Sequence, residues 1–90
     1  MNISEVRVSL RDDDKLKAFV TITIDDCFVV RGLKIIRGNK GMFVAMPSRR
    51  KPDGTYQDLC HPINVSTRHQ LEEEILTYYR AELEKNAVVQ

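Results

Sequence analysis

From Val6 onward, apolar Val6, Val8 and Leu10 alternate with polar Arg7, Ser9 and Arg11. A period of two predicts a strand with one buried and one wet face. Asp12-Asp13-Asp14-Lys15 is a polar turn. After it Leu16, Ala18, Val20, Ile22 and Ile24 alternate with Lys17, Phe19, Thr21, Thr23 and Asp25, the cleanest strand pattern in the chain. Asp25-Asp26 turns the chain into a third run, Phe28 to Ile36, interrupted at Gly32 where a bulge fits. Gly38-Asn39-Lys40-Gly41 supplies another turn, and Met42 to Met46 is a fourth strand ended by Pro47.

Beyond Pro47 the pattern changes. Pro47-Ser48-Arg49-Arg50-Lys51-Pro52-Asp53-Gly54 carries two prolines and a turn signal, which predicts a surface loop with projecting basic side chains. Thr55 to Leu59 returns as a fifth strand, and His61-Pro62 breaks the pattern before a helix. Ser66 or Thr67 can cap that helix, with Gln70 completing a capping box after Thr67. Leu71, Ile75, Tyr78, Tyr79 and Leu83 recur at helical spacing and form the stripe that covers the sheet, leaving Glu72, Glu73, Glu74 and Arg80 wet. The predicted architecture is α+β: an antiparallel, strongly twisted sheet of about five strands followed by a C-terminal helix, in one domain over residues 1–85 with a frayed tail at 86–90. Ninety residues bury a limited fraction of their surface, and an open sheet edge invites pairing. A homodimer through the sheet is therefore expected.

Composition adds little until it is resolved along the chain. Hydrophobic residues at 42% and charged residues at 30% suit a folded, water-soluble domain. No apolar run approaches the roughly 18 residues of a membrane span. The first five residues lack a signal peptide's basic flank and apolar core, so the chain reads as cytoplasmic. Net charge is only +1, but Arg31 to Lys51 holds seven basic residues and no acid, leaving −6 for the rest. Such segregation marks one surface for anions.

Within and beside that window lie the candidate contacts. Lys40, Arg49, Arg50 and Lys51 can neutralise phosphates, and the Ser48 hydroxyl can hydrogen-bond to them. Arg68 sits in the first turn of the predicted helix, where the macrodipole disfavours a cation unless an anion is near. Ser66, Thr67 and Arg68 together can hold a phosphate. An Arg68–Glu72 pair at i,i+4 accounts for the same arginine equally well. Cys27 and Cys60 read as buried free thiols, and with His61 and His69 they show no zinc spacing. His61 reads instead as a structural hydrogen-bonding residue at the corner before the helix. No nucleophile–base pair, carboxylate pair or phosphate-binding glycine loop is present, so the expectation is no enzyme, cofactor, metal or small-molecule substrate.

Gly41 to Arg50, Asp53-Gly54, His61-Pro62-Ile63-Asn64 and Ser66-Thr67-Arg68, with Val6-Arg7-Val8, Ala18 to Ile24 and Phe28-Val29-Val30 upstream, closely resemble the stage V sporulation protein G (SpoVG) family of septation regulators. The resemblance implies a small bacterial cytoplasmic protein that dimerises through its sheet, binds DNA and often RNA, and modulates cell division, sporulation or other gene expression. It places the family's basic loop on Arg49, Arg50 and Lys51 and its Ser-Thr-Arg helix start on Ser66, Thr67 and Arg68. The sequence departs from the family at Cys60 and His69. A rival expectation is a protein-interaction module of the division machinery whose basic loop docks on an acidic partner.

Overall fold

The first alternating run forms β1, Ile3–Leu10, and the second forms β2, Leu16–Ile24, paired antiparallel with Val8 opposite Val20 and Leu10 opposite Ala18. The turn Asp25-Asp26-Cys27 leads on to β3, Phe28–Gly38. Asp25 and Asp26 both hold left-handed backbone, at φ 52° and 56°, and Cys27 N–H donates to the Ile24 carbonyl at 3.0 Å. This is the mirror-image turn whose twist matches that of the flanking strands. The start of the chain is tied to it: Asp25 N–H donates to the Asn2 carbonyl and Asp26 N–H to Ser4 Oγ. In a computed structural model, residues 1–89 are described, with side chains described to Asn86.

β3 turns at Asn39-Lys40 into β4, Gly41–Ala45, and the four strands form one antiparallel sheet in the order β1-β2-β3-β4. The expected bulge at Gly32 is present: the β2–β3 register slips between Val20 and Ile22, and Gly32 holds φ +88°. A Cβ at Gly32 would lie 3.7 Å from the Pro47 side chain, so the bulge brings its bare backbone against the proline that ends β4.

The last expected strand does not join this sheet. Ser48–Arg50 is itself a strand, β5, and pairs with β6, Tyr56–Asp58, as a separate two-stranded ribbon. The segment read as a loop is half strand because Pro52-Asp53-Gly54 reverses the chain tightly enough for its flanks to pair with each other. Pro47 meanwhile takes the chain away from β4. Leu59 N–H donates to the Pro47 carbonyl at 2.7 Å and closes the ribbon's base.

Helix α1, Val65–Val89, lies across one face of the sheet. Leu71, Ile75 and Tyr79 are buried against Ala18, Val20, Ile22, Leu33, Ile35, Val44 and Met46. Tyr78 and Leu83, expected in the same stripe, are exposed. Beyond Glu82 every described side chain is exposed, so the last turns run past the core, while Tyr78 lies at its rim. The expected fray over 86–90 includes Gln90, outside the described residues, and the helix is recorded to Val89. Cys27 and Cys60, expected to be buried, are both exposed free thiols. One closes the Asp25-Asp26 turn and the other lies in the connection to the helix, so neither occupies an inward strand position.

Ile75 is fully buried at the centre of the helix–sheet contact. Ile75→Ala is expected to cost about 2–5 kcal/mol of unfolding free energy, because the cavity adds to the lost transfer energy. Gly32→Ala is expected to cost about 1–2 kcal/mol through left-handed strain. Urea unfolding followed by circular dichroism measures both.

Candidate nucleic-acid interface

Pairing of β5 with β6 sets Ser48 opposite Asp58, Arg49 opposite Gln57 and Arg50 opposite Tyr56. Successive strand residues point to opposite faces, so Arg49 presents its charge on the side away from Ser48 and Arg50. Lys51 follows, its N–H donating to the Thr55 carbonyl at 2.7 Å, and Gly54 N–H returns to the Lys51 carbonyl at 3.0 Å. Gly54 needs its φ of +91° to make this turn. Inside the turn the Thr55 hydroxyl and amide both donate to Asp53 Oδ1, at 2.6 and 3.0 Å. The hydroxyl first, then the amide, holds the Asp53 carboxyl below its ordinary range. This anchor favours the folded turn above the ordinary carboxyl range and is lost as pH falls through the lowered pKa.

All of Ser48, Arg49, Arg50 and Lys51 are exposed. Among the described residues the ion pair within 4.0 Å is Arg7–Glu5, at 3.2 Å, so no carboxylate neutralises the ribbon's cations. Asp53, spent on Thr55, and Asp58, opposite Ser48, make no ion pair with them.

The second candidate cluster sits at the start of α1. The cap is Asn64, whose Oδ1 accepts the Thr67 N–H at 2.7 Å, while its carbonyl accepts the Arg68 N–H at 3.2 Å. The expected Ser66 or Thr67 cap, with Gln70 completing a box, is therefore displaced toward the N-terminus. The sequence signal was present in Asn64, three residues before Thr67, directly after Pro62-Ile63. Gln70 Nε2 instead reaches the Met1 carbonyl at 3.3 Å. Ser66 is exposed, Thr67 and Arg68 are half-buried, and the alternative Arg68–Glu72 ion pair is not formed. The cap takes the Thr67 amide, which leaves the Ser66 and Thr67 hydroxyls and the Arg68 guanidinium as this cluster's groups for an anion. His61 Nδ1 lies 3.0 Å from the Pro62 carbonyl, the local structural role expected at this corner.

Lys40 stands apart. It is exposed in the β3–β4 turn, at the far end of a five-residue strand about 16 Å long from the ribbon's base. The structure thus gathers the ribbon residues, gathers the helix-start residues, joins the two through Leu59–Asn64, and leaves Lys40 outside both.

Two cations near the start of the chain, Arg7 and Arg11, were not among the contacts expected from the sequence. Arg7 and Arg11 alternate with the inward residues of β1 and so lie on the sheet face opposite the helix, and Arg11 stands over the Phe19 ring at 5.0 Å from its centroid. Their signal was the polar half of the alternating pattern. On the helix side an apolar groove of about 210 Å³ runs between Phe28, Ile24 and Met46 and the Cys60-His61-Pro62 corner. Phe28, Leu59 and Ile63, 90% exposed in the last case, leave more apolar surface in these same segments.

The SpoVG family model matches residues 1–81. The chain is 56% identical over 87 residues to a protein of Anaeromyxobacter sp. (strain Fw109-5) named "Putative septation protein SpoVG", covering 97% of this chain and 90% of that one. A Myxococcus xanthus protein of the same name is 54% identical over 83 residues, covering 92% and 84%. One from Agathobacter rectalis is 48% identical over 85 residues, covering 93% and 98%.

Removing the helix cap with Asn64→Ala is expected to cost about 1 kcal/mol, and Asn64→Ser almost nothing. For a domain of this size the first change should lower the thermal midpoint by about 4–8 °C, read by circular dichroism.

Proposed function

The chain belongs to the SpoVG family, and from that premise we propose that it acts in septation and gene expression as a homodimeric DNA- and RNA-binding regulator. The observation that carries the nucleic-acid part is the ribbon, which projects Arg49, Arg50 and Lys51 from a rigid turn without a carboxylate partner. Phosphate contacts of this kind release counterions and are independent of sequence. Arg68 and Ser66 at the helix start add a second phosphate position, where the helix dipole favours an anion. Lys40 extends the positive surface along the β3–β4 hairpin. The connection to septation follows from the names of the relatives.

The homodimer is supported by the edges of the sheet. Among the described residues, strands β1 and β4 each have one neighbour, and their other sides are unpaired. β4 also exposes Met42 and Phe43. A second copy paired at such an edge would satisfy backbone groups and cover apolar surface together. Two copies would set two ribbons on one nucleic-acid backbone. The proposed setting is the cytoplasm; among the described residues no helix is long and apolar enough to cross a membrane.

A second reading is a protein-interaction module of the division machinery, its basic ribbon docking on an acidic protein. The apolar groove and the exposed Leu59 and Ile63 favour it, since a nucleic acid would leave them uncovered.

The triple charge reversal Arg49→Glu, Arg50→Glu, Lys51→Glu separates the readings. On DNA and RNA it should reduce affinity at least tenfold and lower the salt-dependence slope by about 2–3, with the thermal midpoint unchanged. Unchanged affinity and slope would remove the ribbon from the interface. Protein partners that survive nuclease but are lost with the triple variant would favour the second reading.

A further inference from the structure

The helix covers one face of the four-stranded sheet, and the opposite face carries a pattern of its own. In the register, Ser9, Phe19, Lys34 and Ala45 form one row across all four strands, with Arg7 and Thr21 paired in the next. Arg31 is exposed on β3 at the bulge opposite Thr21, between inward Val30 and Leu33. Phe43 alternates with buried Val44 and so lies on this outer face beside Ile36. Cations and aromatic rings therefore interleave on a surface that, among the described residues, no element covers.

Both rings are held in place by their neighbours. A Cβ at Gly38 would fall 3.0 Å from Phe43 Cε1 and 3.3 Å from its Cδ1, so the ring lies over backbone that only glycine leaves bare. Phe43 nevertheless remains 41% exposed. Phe19 lies under the Arg11 guanidinium, which is fixed by donating through Nη1 to Ser9 Oγ and the Leu10 carbonyl, both at 2.9 Å. A guanidinium parked on a ring offers its own outer plane for stacking. From strand spacing and rise the two phenylalanines stand about 12 Å apart, two strands over and one row along.

We propose that this open sheet face is a second nucleic-acid surface, which takes single-stranded DNA or RNA, with bases stacked on Phe43 and on the Phe19–Arg11 pair and phosphates along Arg7, Arg31 and Lys34. The inference rests on the nucleic-acid reading above and adds to it a strandedness and a separate set of residues. Stacking needs unpaired bases, because in a duplex their faces are already occupied by each other. Duplex binding is left to the ribbon and helix start, which offer charge and hydrogen bonds but, apart from Tyr56, no aromatic surface.

Charge decides against a second copy as the occupant. A two-fold interface sets a patch against itself. Here that would oppose Arg7, Arg11, Arg31 and Lys34 with the same four, and the face's carboxylate, Glu5, is already paired with Arg7. A single strand supplies the missing negative charge and the flat apolar surfaces at once.

The test uses the full chain with fluorescein-labelled 20-nucleotide single strands of DNA and RNA and a 20-base-pair duplex, by anisotropy at two salt concentrations. Phe19→Leu with Phe43→Leu keeps apolar bulk while removing both rings. It should weaken single-strand binding at least tenfold, change duplex binding less than twofold, and leave the thermal midpoint in place. Lys34→Glu should weaken the single strand more than the duplex. Single-strand affinity unaltered by the double variant would overturn the proposal while the ribbon reading stands, and so would an equal fall on both substrates. Conversion of a wild-type dimer to monomer by the double variant, read by light scattering, would make the face a self-interface and overturn it too. A wild-type chain that binds neither substrate would instead remove the nucleic-acid reading itself, and the proposal with it.

Discussion

One helix covers one face of a four-stranded sheet, and most other features of the molecule follow from that one-sided burial. Leu71, Ile75 and Tyr79 close over Ala18, Val20, Ile22, Leu33, Ile35, Val44 and Met46 to form a core that draws on β2, β3, β4 and the helix, with half-buried Val6, Val8 and Leu10 of β1 packed against it. Among the described residues there is no second helix for the far side. That far side must therefore be compatible with water or with a partner, and its alternating residues include Arg7, Ser9, Arg11, Phe19, Thr21 and Lys34, with Ile36 and Phe43 beside them. The same alternation that builds the core thus builds a cationic, aromatic surface on its reverse.

The second organising contact is the meeting of Gly32 with Pro47. A bulge at a left-handed glycine lets Pro47 sit against the β3 backbone, and from there the chain cannot continue as a partner of β3. It turns outward into a ribbon that pairs only with itself and is closed at its base by Leu59 and Pro47. Three consecutive basic residues are thereby lifted off the sheet onto a short, hydrogen-bonded projection. The physical benefit is preorganisation: the cations carry less conformational freedom than they would on an open loop, so less is lost when an anion binds.

Charge and apolar exposure divide the remaining surface. The ribbon and helix start carry basic groups without acidic partners, while the groove at the Cys60-His61-Pro62 corner is apolar, with Phe28 and Ile63 beside it in sequence or in space. Polyanions are drawn to the first by long-range attraction, and a protein surface is drawn to the second by area removed from water. The two kinds of site occupy neighbouring segments of one small chain, so under the proposed function nucleic acid and protein would meet different residues.

Much of this was legible in the chain itself. Alternation over Val6–Leu10 and Leu16–Ile24 specified two strands and their inward faces, because a period of two has no other regular reading. Gly32 announced its bulge and Asp25-Asp26 its turn, since both positions demand a conformation few residues accept. Arg49, Arg50 and Lys51 stood out because charge is a property of composition. What only the tertiary structure decided depends on which groups meet. Asn64 rather than Ser66 or Thr67 became the cap because the helix begins two to three residues earlier, after the Pro62 corner. Tyr78 is exposed because it falls beside the line of Leu71, Ile75 and Tyr79 that faces the sheet, Leu83 because the helix overruns the sheet, and Cys27 and Cys60 because they fall outside the inward rows. The split into sheet and ribbon, and the gathering of Arg7, Arg11, Phe19, Lys34 and Phe43 on one face, come from strand order and register. Those are long-range pairings, set by the competition among all the strands for one core, which no local window of sequence contains.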